Sequence, residues 1–133
     1  MSNQFPHFII IDDSQLDCFI GEKIIHNTGI FASIKSFIEA TDAFEFIKNS
    51  DLSPARSMTI IVLDIQMPVM NGFQFVEAFE QLPESIQSNY AIFMFSSSIN
   101  ENDLNRLKNY PSIRKFYSKP ISKDIVASLV ASL

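Results

Sequence analysis

A chain of 133 residues with 47% hydrophobic content is long enough for one globular core and too short for two. Its 15 acidic and 10 basic side chains leave a net charge of −5, which repels a nucleic-acid backbone rather than recruiting it. A single cysteine, Cys18, excludes an internal disulfide, no apolar run approaches the ~18 residues of a membrane span, and Met1 to His7 lacks the basic start of a secretion signal, so a reducing cytoplasm is the expected setting.

Phe8 to Ile11 is a short apolar run that closes on Asp12 and Asp13, and it reads as a strand buried on both faces. Leu16, Phe19, Ile20 and Ile24 then fall at helical spacing, with Asn27 and Gly29 as stop signals. Ala32 to Phe37 alternates less cleanly and suits a strand nearer a sheet edge, and Phe44 and Ile47 mark a second helix. Ile60 to Leu63 runs into Asp64 as another buried strand, followed by a helix carrying Phe75, Val76 and Phe79. Ala91 to Phe95 ends on Ser96, and Leu104 and Leu107 mark the helix beyond it. Arg114 to Tyr117 is a second edge-type strand, closed by Lys119-Pro120. Ile125, Val126, Leu129, Val130 and Leu133 then form one apolar stripe behind Ser122 as N-cap.

Five βα units in strict alternation demand an α/β fold: a doubly wound parallel sheet with right-handed crossovers and helices on both faces. Ligands of such sheets sit outside the carboxyl ends of the strands, which here carry Asp12, Asp13, Asp64, Ser96 and Lys119. Any one Asp in such a place is ordinarily a cap or loop residue. The first and third strands, however, are neighbours ~5 Å apart, so Asp12, Asp13 and Asp64 would converge. Carboxylates that close are either partly protonated or held by a cation, and an oxygen-rich site of this charge suits Mg²⁺. With the metal, an ionised carboxylate, an ammonium and a hydroxyl would share one pocket, the set that attack on a phosphoryl group requires.

Asp12-Asp13, the run Asp64-Ile-Gln-Met-Pro-Val-Met-Asn-Gly72, Ser96-Ser97-Ser98 and Lys119-Pro120 together resemble, in order and spacing, the signature of response-regulator receiver domains of two-component signalling. The resemblance covers Phe8 to Leu133 and implies a flavodoxin-like (βα)5 fold with strand order 2-1-3-4-5, one domain over 1–133 and no output domain. It implies Asp64 as phosphoacceptor, Mg²⁺ held by Asp13, Asp64 and the Gln66 backbone carbonyl with Asp12 acting through water, and Lys119 and Ser96 on the phosphoryl oxygens. A cis Lys119-Pro120 bond goes with it. Ser96 matches the switch hydroxyl, with Ser97 as the alternative register. Phe116 matches the switch aromatic, and an ordinary strand aromatic in one fixed rotamer is the competing reading. Gln66 and Ser98 would flank the path of attacking water. Such a domain is a phosphoacceptor rather than an enzyme, promoting only its own phosphorylation and dephosphorylation. Its donor, a histidine kinase or histidine phosphotransfer protein, would dock on Gln15, Leu16, Phe19 and Pro120-Ile121. A downstream protein, or a second copy in a weak homodimer, would read a face carrying Glu101, Asn105, Lys108 and Lys123. Neither nucleic acid nor membrane is an expected partner.

Three other readings compete. A phosphohydrolase resembling the haloacid-dehalogenase type needs a second acid two residues after the nucleophile, where this chain has Gln66. A docking module without phosphorylation would not need the full set of Asp12, Asp13, Asp64, Ser96 and Lys119. A flavodoxin-type cofactor binder needs phosphate donors after the first strand rather than two acids. His7 and His26 lack ligand-like spacing and read as surface or capping residues, and Cys18 reads as an unreactive thiol.

Overall fold

The computed structural model describes residues 5–50, 57–98 and 100–133. In chain order they form β1 (His7–Ile11), α1 (Gln15–Thr28), β2 (Ser33–Phe37), α2 (Ala40–Lys48), β3 (Thr59–Asp64), α3 (Gly72–Phe79), α4 (Glu84–Gln87), β4 (Tyr90–Ser96), α5 (Glu101–Leu107), β5 (Ile113–Ser118) and α6 (Lys123–Ala131). The five strands make one parallel sheet in the order β2-β1-β3-β4-β5. This is the doubly wound arrangement that the alternation demands. The edge positions fall to β2 and β5, whose residues are only partly covered, whereas every residue of β3 and β4 is buried.

Alternate residues of the strands serve two cores. Ile9, Ile11, Ile61, Leu63, Ile92 and Met94 face α2, α3 and Tyr110, whereas Phe8, Ile10, Ile60, Val62, Phe93 and Phe95 face α1 and α6. The period-2 geometry of a strand fixes this division.

One expectation needs correction. Six helices are present among the described residues, because α4 is a single turn after Pro83, too short to display an apolar period. In α1, helical spacing alone would turn the large apolar residues toward the core, yet most of them face outward, as the docking role expected for Leu16 and Phe19 requires. Cys18, Gly21 and Ile25 are buried, whereas Leu16, Phe19 and Ile20 are 66%, 58% and 39% exposed. Gly21 explains the rotation: a Cβ there would lie 3.1 Å from Ile10 Cδ1, so the missing side chain lets the helix settle against β1. The fourth and fifth helices expected from the sequence correspond to α5 and α6, and Ser122 caps α6 by accepting from the Ile125 N–H. No described helix is long and apolar enough to cross a membrane.

Candidate functional site

The carboxyl ends of β1, β3 and β5 meet in one acidic pocket. Parallel pairing sets Ile11 beside Leu63, so the residues that follow, Asp12 and Asp64, leave the sheet side by side. Asp12 is fixed twice: its N–H donates to Phe37 O at 3.0 Å, and its Oδ1 accepts from Ser14 N at 3.0 Å. Ser14 in turn caps α1 by accepting from Asp17 N at 3.1 Å, so the acidic loop and the helix start are one unit. Asp12, Asp13 and Asp64 bring carboxylate oxygens within 4.8 Å of one another, with Asp13 exposed and the other two buried. The convergence expected from the sequence is present.

Lys119 reaches this pocket from the end of β5, immediately before a cis Lys119-Pro120 bond. Its ammonium donates to Asp12 Oδ2 at 2.7 Å and to Asp17 Oδ2 at 3.0 Å, and lies 3.5 Å from Asp64 Oδ1. Asp17 was not among the residues singled out from the sequence. It sits inside a helix, one of many acids suited to a first turn, and only the fold brings it to Lys119.

The electrostatics reflect crowding. Burial first, and the Asp12 charge second, push the Asp64 carboxyl up from 3.8 to about 6, with Lys119 working the other way. Burial opposes the Lys119 ammonium, yet its hydrogen bonds to Asp12 and Asp17 outweigh that and raise its pKa. Three carboxylates, of Asp12, Asp17 and Asp64, thus surround one ammonium, with Asp13 beside two of them. A hard divalent cation with oxygen ligands fits both the donor set and the charge deficit, and Asp12, Asp13 and Asp64 are the side chains that would hold it.

The loop after β3 is held by close approach. Gly72 N–H donates to Ile65 O at 2.8 Å, and a Cβ on Gly72 would stand 2.7 Å from Asp64 O. Asn71 and Gln74 close a reciprocal capping box at the start of α3. Between them and Asp64, Met70 N–H donates to Pro68 O at 2.8 Å around Val69, whose φ is +69° and whose side chain is 93% exposed. A β-branched residue in that region of φ stores strain. Gln66 is exposed, and its backbone N–H donates to the Asp64 carboxylate.

Ser96 ends β4 and is buried, with Oγ donating to Ser98 O at 2.8 Å and accepting from Ser98 N at 3.2 Å, whereas Ser97 is exposed. Lys119 N–H donates to Ser96 O at 2.9 Å, so the ends of β4 and β5 are joined directly. Phe116 pairs with Met94 across the sheet and packs, half-buried, against the core facing α3. Glu101, Asn105, Lys108 and Lys123 are all exposed. The histidines stay outside the pocket: His7 contacts Ser33 Oγ and His26 lies against Phe31. Cys18 is buried, its thiol donating to Asp12 O at 3.3 Å, and burial with the Asp12 charge pushes it up to about 11. That environment suits the inert thiol expected from the sequence.

The family model for the response regulator receiver domain matches residues 8–131. Among solved structures, a response regulator receiver protein from Dyadobacter fermentans is 31% identical, with a TM-score of 0.85 over 95% of each chain. A two-component response regulator from Cytophaga hutchinsonii is 23% identical, with a TM-score of 0.86 over 98% of this chain and 97% of that one. The Vibrio cholerae chemotaxis protein CheY4 shares the fold at 16% identity and a TM-score of 0.75, over 96% of this chain and 98% of its own. The comparison with curated proteins returns no match.

Proposed function

Because the chain belongs to the response regulator receiver domain family, we propose that it is a phosphorylation switch whose acceptor is Asp64. The observation that carries this reading is the meeting of Asp12, Asp13, Asp64 and Lys119 in one pocket at the carboxyl edge of the sheet. An Asp64 carboxylate oxygen forms the new bond to phosphorus while the donor's P–N or P–O bond breaks, and the leaving imidazole or acetate keeps the electron pair. Asp13, Asp64 and the Gln66 carbonyl, with Asp12 through water, would hold Mg²⁺, which would supply charge neutralisation for the transferred group. Lys119 meets one phosphoryl oxygen as a compact positive charge, and the Ser96 hydroxyl leaves Ser98 to donate to another. Gln66, exposed two residues beyond Asp64, is long enough to orient or block an attacking water. Electrospray mass of the intact chain after acetyl phosphate tests the reading. A gain of one phosphoryl mass that needs Mg²⁺ and disappears in Asp64→Asn is expected, and equal labelling of that variant overturns the assignment.

The donor is a histidine kinase or histidine phosphotransfer protein that docks over α1 and the loop after β5. Leu16 and Phe19, turned outward on α1, are the apolar anchors that such a protein would cover, with Gln15, Pro120 and Ile121 beside them. Replacing both, Leu16→Ala with Phe19→Ala, should slow transfer from a phosphohistidine donor by about tenfold and leave labelling by acetyl phosphate unchanged. Equal loss of both reactions would place the defect in the fold rather than in docking.

Output runs through the surface around α5, β5 and α6. Ser96 and Lys119 close the ends of β4 and β5, so a phosphoryl group that draws both inward acts on the start of α5 and on the space beside Phe116. The downstream protein, or a second copy of the chain in a weak homodimer, then reads a face that includes Glu101, Asn105, Lys108 and Lys123.

A further inference from the structure

Lys119 has one charge and two hydrogen-bonded carboxylate partners, neither of which is the proposed phosphoacceptor. Its bonds to Asp12 at 2.7 Å and Asp17 at 3.0 Å occupy two of its donors, and Asp64 at 3.5 Å is left with an ion contact alone. Asp17 reaches it from the first turn of α1, whose orientation is set by the Ser14 cap on the Asp17 N–H. The loop after β1 provides Asp12 and Asp13, whereas Asp17 comes from α1, which lines the same pocket with Ile20 and Gly21.

We propose that Asp17 is a positioning residue that holds the Lys119 ammonium on the Asp12 side of the pocket in the resting protein and must release it when a phosphoryl group arrives on Asp64. The inference rests on the reading of Asp64 as acceptor and Lys119 as its phosphoryl contact. A ligand shifts a two-state equilibrium only through contacts that differ between the states. Here the Asp17 ion pair belongs to the resting state and the phosphoryl contact to the other, so Asp17 works against phosphorylation. Asp17 is 42% exposed, which keeps its pull modest. Its simpler role, an acid favourable to the start of a helix, would affect the stability of α1 and leave ligand affinity alone.

Titration of the full chain with beryllofluoride and Mg²⁺, a phosphoryl mimic, separates the two roles. Asp17→Asn should bind it about two- to fivefold more tightly than wild type, the worth of a part-exposed ion pair. Asp17→Glu, which keeps the charge and the helix preference, should return toward wild-type affinity. The ¹⁵N signal of the Lys119 ammonium in metal-free protein should move in Asp17→Asn and stay near its wild-type position in Asp17→Glu. Affinity that is equal or weaker in Asp17→Asn, in a chain whose wild type binds the mimic and whose Asp64→Asn form does not, overturns this inference alone. A wild type that binds no mimic overturns the acceptor reading and this inference with it.

Discussion

Asp64→Asn should make the metal-free protein more stable at pH 7, by roughly 2–3 kcal/mol, while removing its capacity for phosphorylation. The Asp64 carboxyl is raised from 3.8 to about 6, by burial first and by the Asp12 charge second. A raised carboxyl binds its proton more tightly in the folded chain than in the unfolded one. The stability linked to that proton is fully present below about 3.8 and is lost as the pH rises through about 6. At pH 7 the ionised group therefore works against the fold, and an amide of the same shape does not. Urea unfolding without metal should show the variant ahead at pH 7 and level with wild type at pH 4. Mg²⁺ should raise the wild-type midpoint and leave the variant nearly unmoved, because the charge that the cation offsets has gone. A variant less stable than wild type at pH 7 would contradict the electrostatics of the pocket.

Gly72→Ala should cost roughly 3 kcal/mol, the upper end of overpacking, and should impair labelling of Asp64 as well. Alanine at the first position of a helix is normally harmless or helpful. Here its Cβ would stand 2.7 Å from Asp64 O, 2.9 Å from Ile65 Cα and 2.7 Å from Met94 Cε. Met94 can bend, but the other two contacts are backbone, and one belongs to the proposed acceptor. The loop after β3 must move, and Asp64 with it. Thermal unfolding and the intact-mass assay, run on the same preparation, would show both losses; a variant that unfolds and labels like wild type would mean that the loop has slack the structure does not suggest.

The parts of the site that were legible in the sequence are those that end strands buried on both faces. Asp12, Asp13 and Asp64 stand out because an uninterrupted apolar run stops on them, and pairing of adjacent parallel strands needs no further information to bring them together. Lys119 follows an edge strand that is only partly covered, so it was legible from its place at a strand end and from the Lys119-Pro120 pair rather than from a buried run, and the two weaker strands did prove to be the edges. Contacts made by helices were harder. Asp17 follows no run and earns its place only from the angle at which α1 crosses β1. That angle depends on Gly21 and Cys18, small residues that contribute little to an apolar stripe, whereas Leu16 and Phe19 contribute much and face outward. Large apolar residues on one helix face thus marked an exposed surface, and the contact face was carried by a glycine. The ties from α3 to the segment before β5 were equally hidden: Tyr110 OH donates to Glu77 and Ser112 to Glu80, pairs separated by more than thirty residues.

None of the seven residues of α5 is buried; Leu107 packs part-covered against the core facing α3, and Arg106 lies over the Phe73 ring at 4.4 Å. A helix so lightly attached opens at a small fraction of the free energy needed to unfold the central strands, and its amides exchange with solvent accordingly. Moving a population from one part in a hundred to ninety-nine takes about 5.5 kcal/mol of differential affinity when two states begin that far apart. An element that starts closer to balance requires less. On the proposed reading, a lightly held α5 would lower the threshold for a phosphoryl signal at Asp64, and a background of switched molecules would exist even before any donor is present.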